Sequence, residues 1–220
     1  PCEGVKTMIN EKLRLTIAIV LVSAAAVLFL QNRGSEGQST PDTLDARTRG
    51  PENAPIQIVE FIDFECAQCA EGAALIREFT TRYSDQVRVR VYYFPIPTHQ
   101  HGMTAAIAVE CAAQQGAFWP MHDRLLQQQD SWTQAENVDT LLREYAQELG
   151  LDPQRFLSCL QNKQTRIGIE QERQWGRQSG VRSTPSYVIN GETVVGPHSL
   201  RRVLQRLERE LLLDSGEDQG

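Results

Sequence analysis

The chain has 220 residues, 40% of them hydrophobic, enough for one sizeable core and a subdomain. A formal net charge of −6 without any dense Lys/Arg cluster excludes nucleic acid as the main partner. Five cysteines, an odd number, cannot all pair within one chain; Met8 is a candidate start, which would leave residues 1–7, with Cys2, outside the mature protein.

Leu15 to Leu30 runs without a charge, and Thr16 and Ser23 are its only polar residues. As a helix it covers about 24 Å of a hydrocarbon layer ~30 Å thick, and the aliphatic stem of Arg14 can extend that reach. A cleaved signal peptide, an uncleaved signal anchor and a buried helix compete for this segment. Lys12 and Arg14 before the apolar run are an export signature. Ala24-Ala25-Ala26, the best cleavage candidate, is followed by four more apolar residues, so the uncleaved anchor is preferred. Residues 1–14 then lie in the cytoplasm and the rest of the chain outside it. Residues 31–53, rich in Gly, Ser, Pro, Asn and Gln, read as a tether. A membrane-held, extracytoplasmic (periplasmic) domain is the expectation, in a compartment where disulfides persist.

The run Ile56 to Phe64 is nearly all apolar and suits a central strand covered on both faces, with Glu60 its awkward member. Ala67 to about Tyr83 has a helical pattern. Val87, Val89, Val91 and Tyr93 alternate with polar residues in a second strand that ends before Pro95. About residues 99–178 read as helical, with Thr104–Gln115, Phe118–Gln128 and Val138–Leu149 as helices and Asp152-Pro153 as cap and first position of another. Asn190-Gly191 joins two short β-rich runs as a hairpin turn, and Leu200 to Leu211 forms a last amphipathic helix. The polar tail is 214–220. The domain expected over 54–213 is therefore α/β, a thioredoxin-like sheet with an inserted helical subdomain, preceded by an N-terminal transmembrane helix.

Cys66-Ala67-Gln68-Cys69 follows the first strand and opens a helix, at the carboxyl end where open α/β sheets place their sites. The partial positive charge and free N–H groups of a helix N-terminus favour thiolate at Cys66. Cys69, one turn on, can then attack a mixed disulfide formed at Cys66. The alternative is half of a zinc site; with no second C-x-x-C, His99 and His101 are the close-spaced ligands left for it. His99 and His101 are also candidates for the mouth of the site, whereas His122 is expected to pack and His198 to lie at the surface. Glu60, six positions before Cys66, would be a buried acid with a raised pKa, able to exchange a proton with Cys69; an edge position facing water is the other reading.

Around these residues the sequence resembles the DsbA family of thioredoxin-like disulfide oxidoreductases. The resemblance covers about residues 50–212 and rests on Gly50-Pro51-Glu52-Asn53-Ala54-Pro55, on Val59 to Cys66, on Phe118-Trp119-Pro120-Met121-His122-Asp123 and on Gly180 to Gly191. It implies Cys66 as nucleophile, Cys69 as its redox partner, Glu60 as the buried acid, and a cis peptide at Thr184-Pro185 that presents backbone to substrate. It also implies exported protein thiols and disulfides as substrates, a membrane quinone-linked oxidase or electron donor as redox partner, and no cofactor. Some similar proteins staple the insertion with a second disulfide, which would here join Cys111 and Cys159; otherwise these are two buried thiols. Many relatives place Pro and His between the cysteines where this chain has Ala67-Gln68. A histidinium would stabilise the thiolate more than the Gln68 dipole, so a potential less oxidising than that of DsbA is expected. An oxidase is the first reading, a reductase or isomerase the second, and a membrane-tethered metal-binding protein the third.

Overall fold

The computed structural model describes residues 43–217. The expected cytoplasmic segment 1–14, the anchor 15–30, Cys2 and most of the tether lie outside them. Among the described residues no helix is long and apolar enough to cross a membrane.

Among the described residues five strands form one mixed sheet: β1 (Thr48–Arg49), β2 (Ile56–Ile62), β3 (Val87–Tyr93), β4 (Ser186–Ile189) and β5 (Glu192–Val195), in the order β1-β3-β2-β4-β5. β2 and β3 run parallel with Glu60 opposite Val91, and α1 (Ala67–Arg82) is their crossover. Such a parallel pair needs a long connection, which the helix supplies. On its other side β2 pairs antiparallel with β4, placing Tyr187 directly opposite Glu60. The β4–β5 hairpin turns at Asn190 and Gly191, with φ of 47° and 87°, the left-handed conformations that a two-residue turn of this kind requires.

Between β3 and β4 come α2 (Gly102–Ala113), α3 (Phe118–Gln127), α4 (Gln129–Thr133), α5 (Val138–Glu148), α6 (Pro153–Gln161) and α7 (Lys163–Gln178). Asp152 caps α6 as expected, its Oδ1 accepting from the Gln154 and Arg155 amides at 2.8 and 2.9 Å. α2 is almost wholly buried, from Ala105 to Ala113, and forms the centre on which α3, α5, α6 and α7 pack. Cys111 on α2 and Cys159 on α6 are bonded, with an S–S distance of 2.03 Å.

Successive strand residues face opposite sides of a sheet. Ile56, Ile58, Glu60 and Ile62 therefore face one way and Val59 and Phe61 the other. The first face meets α1 and α8 (Gly196–Glu217) in the main core, with Ile76, Phe79, Leu200 and Leu204. The second carries a smaller cluster of Phe61, Phe94 and Val181, roofed by Trp175 of α7, whose ring lies 5.6 Å from that of Phe61. Glu60 thus sits under the main core, a consequence of strand parity alone.

The folded part begins earlier than the expected boundary at 54. β1 pairs with β3, and Arg47 is buried with its guanidinium on the Glu172 carboxylate at 2.7 and 2.9 Å. Thr43 donates to Glu110, fixing the segment also to α2. These partners are forty or more residues away in sequence, so a stretch polar enough to read as tether is held by contacts that local composition does not display. The final helix likewise continues to Glu217, past the expected limit at 213.

Candidate active site

Cys66 is the N-cap of α1, in extended conformation, with Ala67 and Gln68 exposed beyond it and Cys69 wholly buried beneath. Both cysteines are thiols in this structure. The Cys69 amide donates to the Cys66 carbonyl at 2.9 Å, closing the first turn around the pair. Across from them Thr184-Pro185 is cis, and Cys66 Sγ lies 3.4 Å from the Thr184 carbonyl, to which the thiol donates.

The two sulfurs have opposite proton affinities. The Cys66 pKa is lowered to about 5, chiefly by a hydrogen bond from the Cys69 thiol, with help from the Thr184 side chain and the Cys69 and Gln68 amides, against the penalty of partial burial. Burial pushes the Cys69 thiol well above the ordinary thiol range, and its hydrogen bond and proximity to Cys66 push the same way. At neutral pH one thiolate is ready to attack while the second stays protonated until a proton acceptor is at hand.

Glu60 is 1% exposed, and among the described residues its Oε1 makes no aligned hydrogen bond. Burial raises its pKa to about 7, opposed by the charge of Arg49. The Arg49 guanidinium stacks 4.0 Å over the Trp119 ring. The Tyr187 phenol is close to Glu60, yet its hydroxyl makes no aligned hydrogen bond. The sequence-based expectation of a buried rather than edge-facing Glu60 matches this placement.

Three residues that sequence reasoning did not single out lie around the cysteine pair, and two of them, Asp63 and Gln129, shape the loop before Cys66. Asp63, buried, accepts from the Glu65 amide at 2.9 Å and the Ile96 amide at 2.6 Å, and its Oδ2 lies 2.7 Å from His99 Nδ1. Gln129, from α4, donates through Nε2 to the Phe64 and Cys66 carbonyls at 2.6 and 3.1 Å. Tyr187 is wholly buried. Asp63 carried a signal, a carboxylate inside an apolar run; Gln129 carried none. His99 is thus engaged with Asp63 rather than with the cysteines. Glu65 accepts from the His101 backbone amide at 2.5 Å, His122 is buried among aromatic rings, and His198 is exposed. Among the described residues no group of three or more His, Cys, Asp or Glu side chains is arranged to hold a metal ion. The concavity of about 700 Å³ along α7 contains neither cysteine.

A sequence profile described as Thioredoxin matches residues 42–209. The chain belongs to this thioredoxin family. The match begins before β1, in agreement with the early start of the fold. Among solved structures, BdbD of Bacillus subtilis superposes with a TM-score of 0.65 at 20% identity, covering 76% of this chain and 94% of that one. Wolbachia pipientis alpha-DsbA1 gives 0.64 at 19%, covering 76% and 93%. A thioredoxin-like oxidoreductase from Silicibacter pomeroyi gives 0.62 at 22%, covering 77% and 96%. The resemblance to DsbA-type proteins read from the sequence is borne out in the fold. Curated relatives carry another name: Na(+)/H(+) antiporter NhaA 3 of Salinispora tropica is 39% identical over 153 residues, covering 69% of this chain but 22% of the antiporter. The NhaA antiporter of Herminiimonas arsenicoxydans is 34% identical over 160 residues, covering 73% and 25%. The chain spans about a quarter of the length of the curated relatives it matches.

Proposed function

We propose that the chain is a protein thiol–disulfide oxidoreductase working outside the cytoplasm on exported proteins, with oxidation of their thiols as its direction. The observation that carries this reading is the asymmetry of the cysteine pair: a partly exposed Cys66 with a pKa near 5 above a fully buried Cys69 whose pKa is raised. Cys66 is the nucleophile, Cys69 the resolving thiol, Glu60 the buried acid, and Thr184-Pro185 the substrate-facing backbone. In the oxidised enzyme a substrate thiolate attacks Cys66 Sγ and Cys69 leaves, taking up a proton. A second substrate thiolate then displaces Cys66 from the mixed disulfide, so the substrate loses two electrons and the pair gains them.

A low Cys66 pKa stabilises the reduced enzyme and makes its disulfide a better oxidant. Reference values run from ~7 in thioredoxin to ~3.5 in DsbA, and about 5 falls between them, which supports a potential between theirs. The exposed Ala67-Gln68 pair, without a histidinium, also fits the second reading, a reductase or isomerase kept reduced by an electron donor. Reoxidation by a quinone-linked membrane protein completes the oxidase reading, and attachment through Leu15–Leu30 would keep the site near that partner. The match to segments of proteins named as antiporters is compatible with a redox domain held at a membrane.

Trapping with the Cys69→Ala variant tests the assignment. Mixed disulfides should accumulate at Cys66 with exported proteins, and a glutathione-equilibrated potential should lie between those of thioredoxin and DsbA. Failure of the wild-type protein to exchange disulfides with any thiol would end this reading.

A further inference from the structure

Glu60 and Cys69 need a way to pass a proton, because Cys69 is completely buried and Glu60 is 1% exposed. The sheet register places Tyr187 directly opposite Glu60 on β4, and strand parity turns its side chain to the same face. From there the phenol reaches under α1. A Cβ on Gly72 would stand 2.0 Å from the Tyr187 hydroxyl and 3.3 Å from its Cζ, a clash that only glycine at this position avoids. Gly72 follows Cys69 by three residues and shares its face of the helix. The hydroxyl and Glu60 Oε1 are both buried and, among the described residues, neither makes an aligned hydrogen bond, although they lie close enough for the phenol to favour the Glu60 carboxylate. Both cysteines and Glu60 lie within electrostatic range of the phenol. Two buried oxygens that adjoin without an aligned hydrogen bond are an unusual cost in a folded core, and at functional sites such groups have a use.

We propose that the Tyr187 hydroxyl, admitted to the core by Gly72, relays the proton between Cys69 and Glu60 during disulfide exchange. This deepens the oxidoreductase reading and rests on it. When Cys69 resolves a mixed disulfide, its S–H proton passes to the Tyr187 oxygen as the Tyr187 proton passes to Glu60 Oε1. The Cys69 sulfur then attacks Cys66 Sγ, the Cys66–Cys69 bond forms and the bond to the outgoing thiol breaks. That sulfur departs as thiolate with the electron pair of the broken bond and is protonated by solvent. In the reverse direction Glu60 returns the proton through Tyr187 to the departing Cys69 thiolate. The charged or titratable groups facing this path are Arg49 from β1, Asp123 from α3, Cys66 and Cys69 from the start of α1, and Glu60 from β2. Tyr187 itself stays neutral throughout, since burial pushes its pKa far up.

The test uses the full reduced protein with oxidised glutathione, quenched with acid at intervals and read by mass spectrometry. Formation of the Cys66–glutathione adduct and its resolution to the Cys66–Cys69 disulfide are thereby timed separately. Wild type should resolve faster as pH rises through about 7, where Glu60 becomes able to accept a proton. Tyr187→Phe should form the adduct at the wild-type rate but resolve it at least about tenfold more slowly, within the range of lost acid–base assistance. Its profile should lose the inflection near 7. Gly72→Ala should lower the melting temperature by crowding the phenol, and Gly72→Ala with Tyr187→Phe should regain stability while remaining slow. Resolution by Tyr187→Phe, or by the double variant, at the wild-type rate and pH profile would overturn the relay. A wild-type protein that forms no adduct would instead overturn the oxidoreductase reading beneath it.

Discussion

Glu60→Gln should make the protein more stable above neutral pH, by an amount that grows with pH in a defined window. Glu60 is buried in the main core, and burial raises its pKa from the ordinary 4.5 to about 7. Below about 4.5 the carboxyl is protonated in both folded and unfolded chains and adds no pH dependence. Between about 4.5 and 7 the unfolded chain releases the proton while the folded chain keeps it, so wild-type stability falls as pH rises. Above 7 the folded protein carries a buried carboxylate, at a cost of about 3 kcal/mol from the pKa difference at 1.36 kcal/mol per pH unit. Gln has the shape of the protonated acid and escapes this cost. The gap between variant and wild type should open from near zero at pH 4.5 to about 3 kcal/mol at pH 8.5, or about 6–12 °C in melting temperature for a fold of this size. Urea unfolding of both proteins in the disulfide form, where neither active-site thiol titrates, measures the gap directly. A gap that does not change with pH, or a Gln variant less stable than wild type at pH 8.5, would refute the reasoning. Either result would mean that Arg49, stacked on Trp119, already neutralises the buried charge.

Cys69→Ala should raise the Cys66 pKa above about 5, because the Cys69 thiol supplies the largest stabilisation of that thiolate; ultraviolet absorbance of the thiolate against pH reads the shift. Replacing Cys111 and Cys159 together by Ala opens a loop of 48 residues and should cost up to about 4 kcal/mol in urea unfolding, with exchange at Cys66 unchanged. Gln129→Ala removes both donors to the Phe64 and Cys66 carbonyls and should destabilise by about 1–3 kcal/mol while slowing attack by Cys66. Gln129→Glu should be worse by denaturant midpoint, since a carboxylate there faces two carbonyl oxygens.

The elements of this fold were legible because their signals are local. The alternation of Val87 to Tyr93 became β3, Asn190-Gly191 became the hairpin turn, and Asp152-Pro153 became cap and first turn of α6. Cys66 at the mouth of a helix and Glu60 inside an apolar strand were legible for the same reason, since an ionisable residue is conspicuous where every neighbour is apolar. What escaped were features made by contacts between distant segments. β1 is two residues long and depends on β3 for its hydrogen bonds, so nothing in residues 43–49 announces that they belong to the domain.

By itself, then, the sequence determined a strand–helix–strand unit with a redox-type cysteine pair at its switch and an acid six residues before it, because those patterns arise from chain periodicity and helix ends. Only the tertiary structure decided what surrounds the pair. The register of β4 against β2 set Tyr187 opposite Glu60, the absent side chain of Gly72 opened space for its hydroxyl, and α4 brought Gln129 onto the Cys66 loop from 63 residues away. Those outcomes depend on register and packing across the core, where one residue's neighbours are chosen by shape and not by sequence distance.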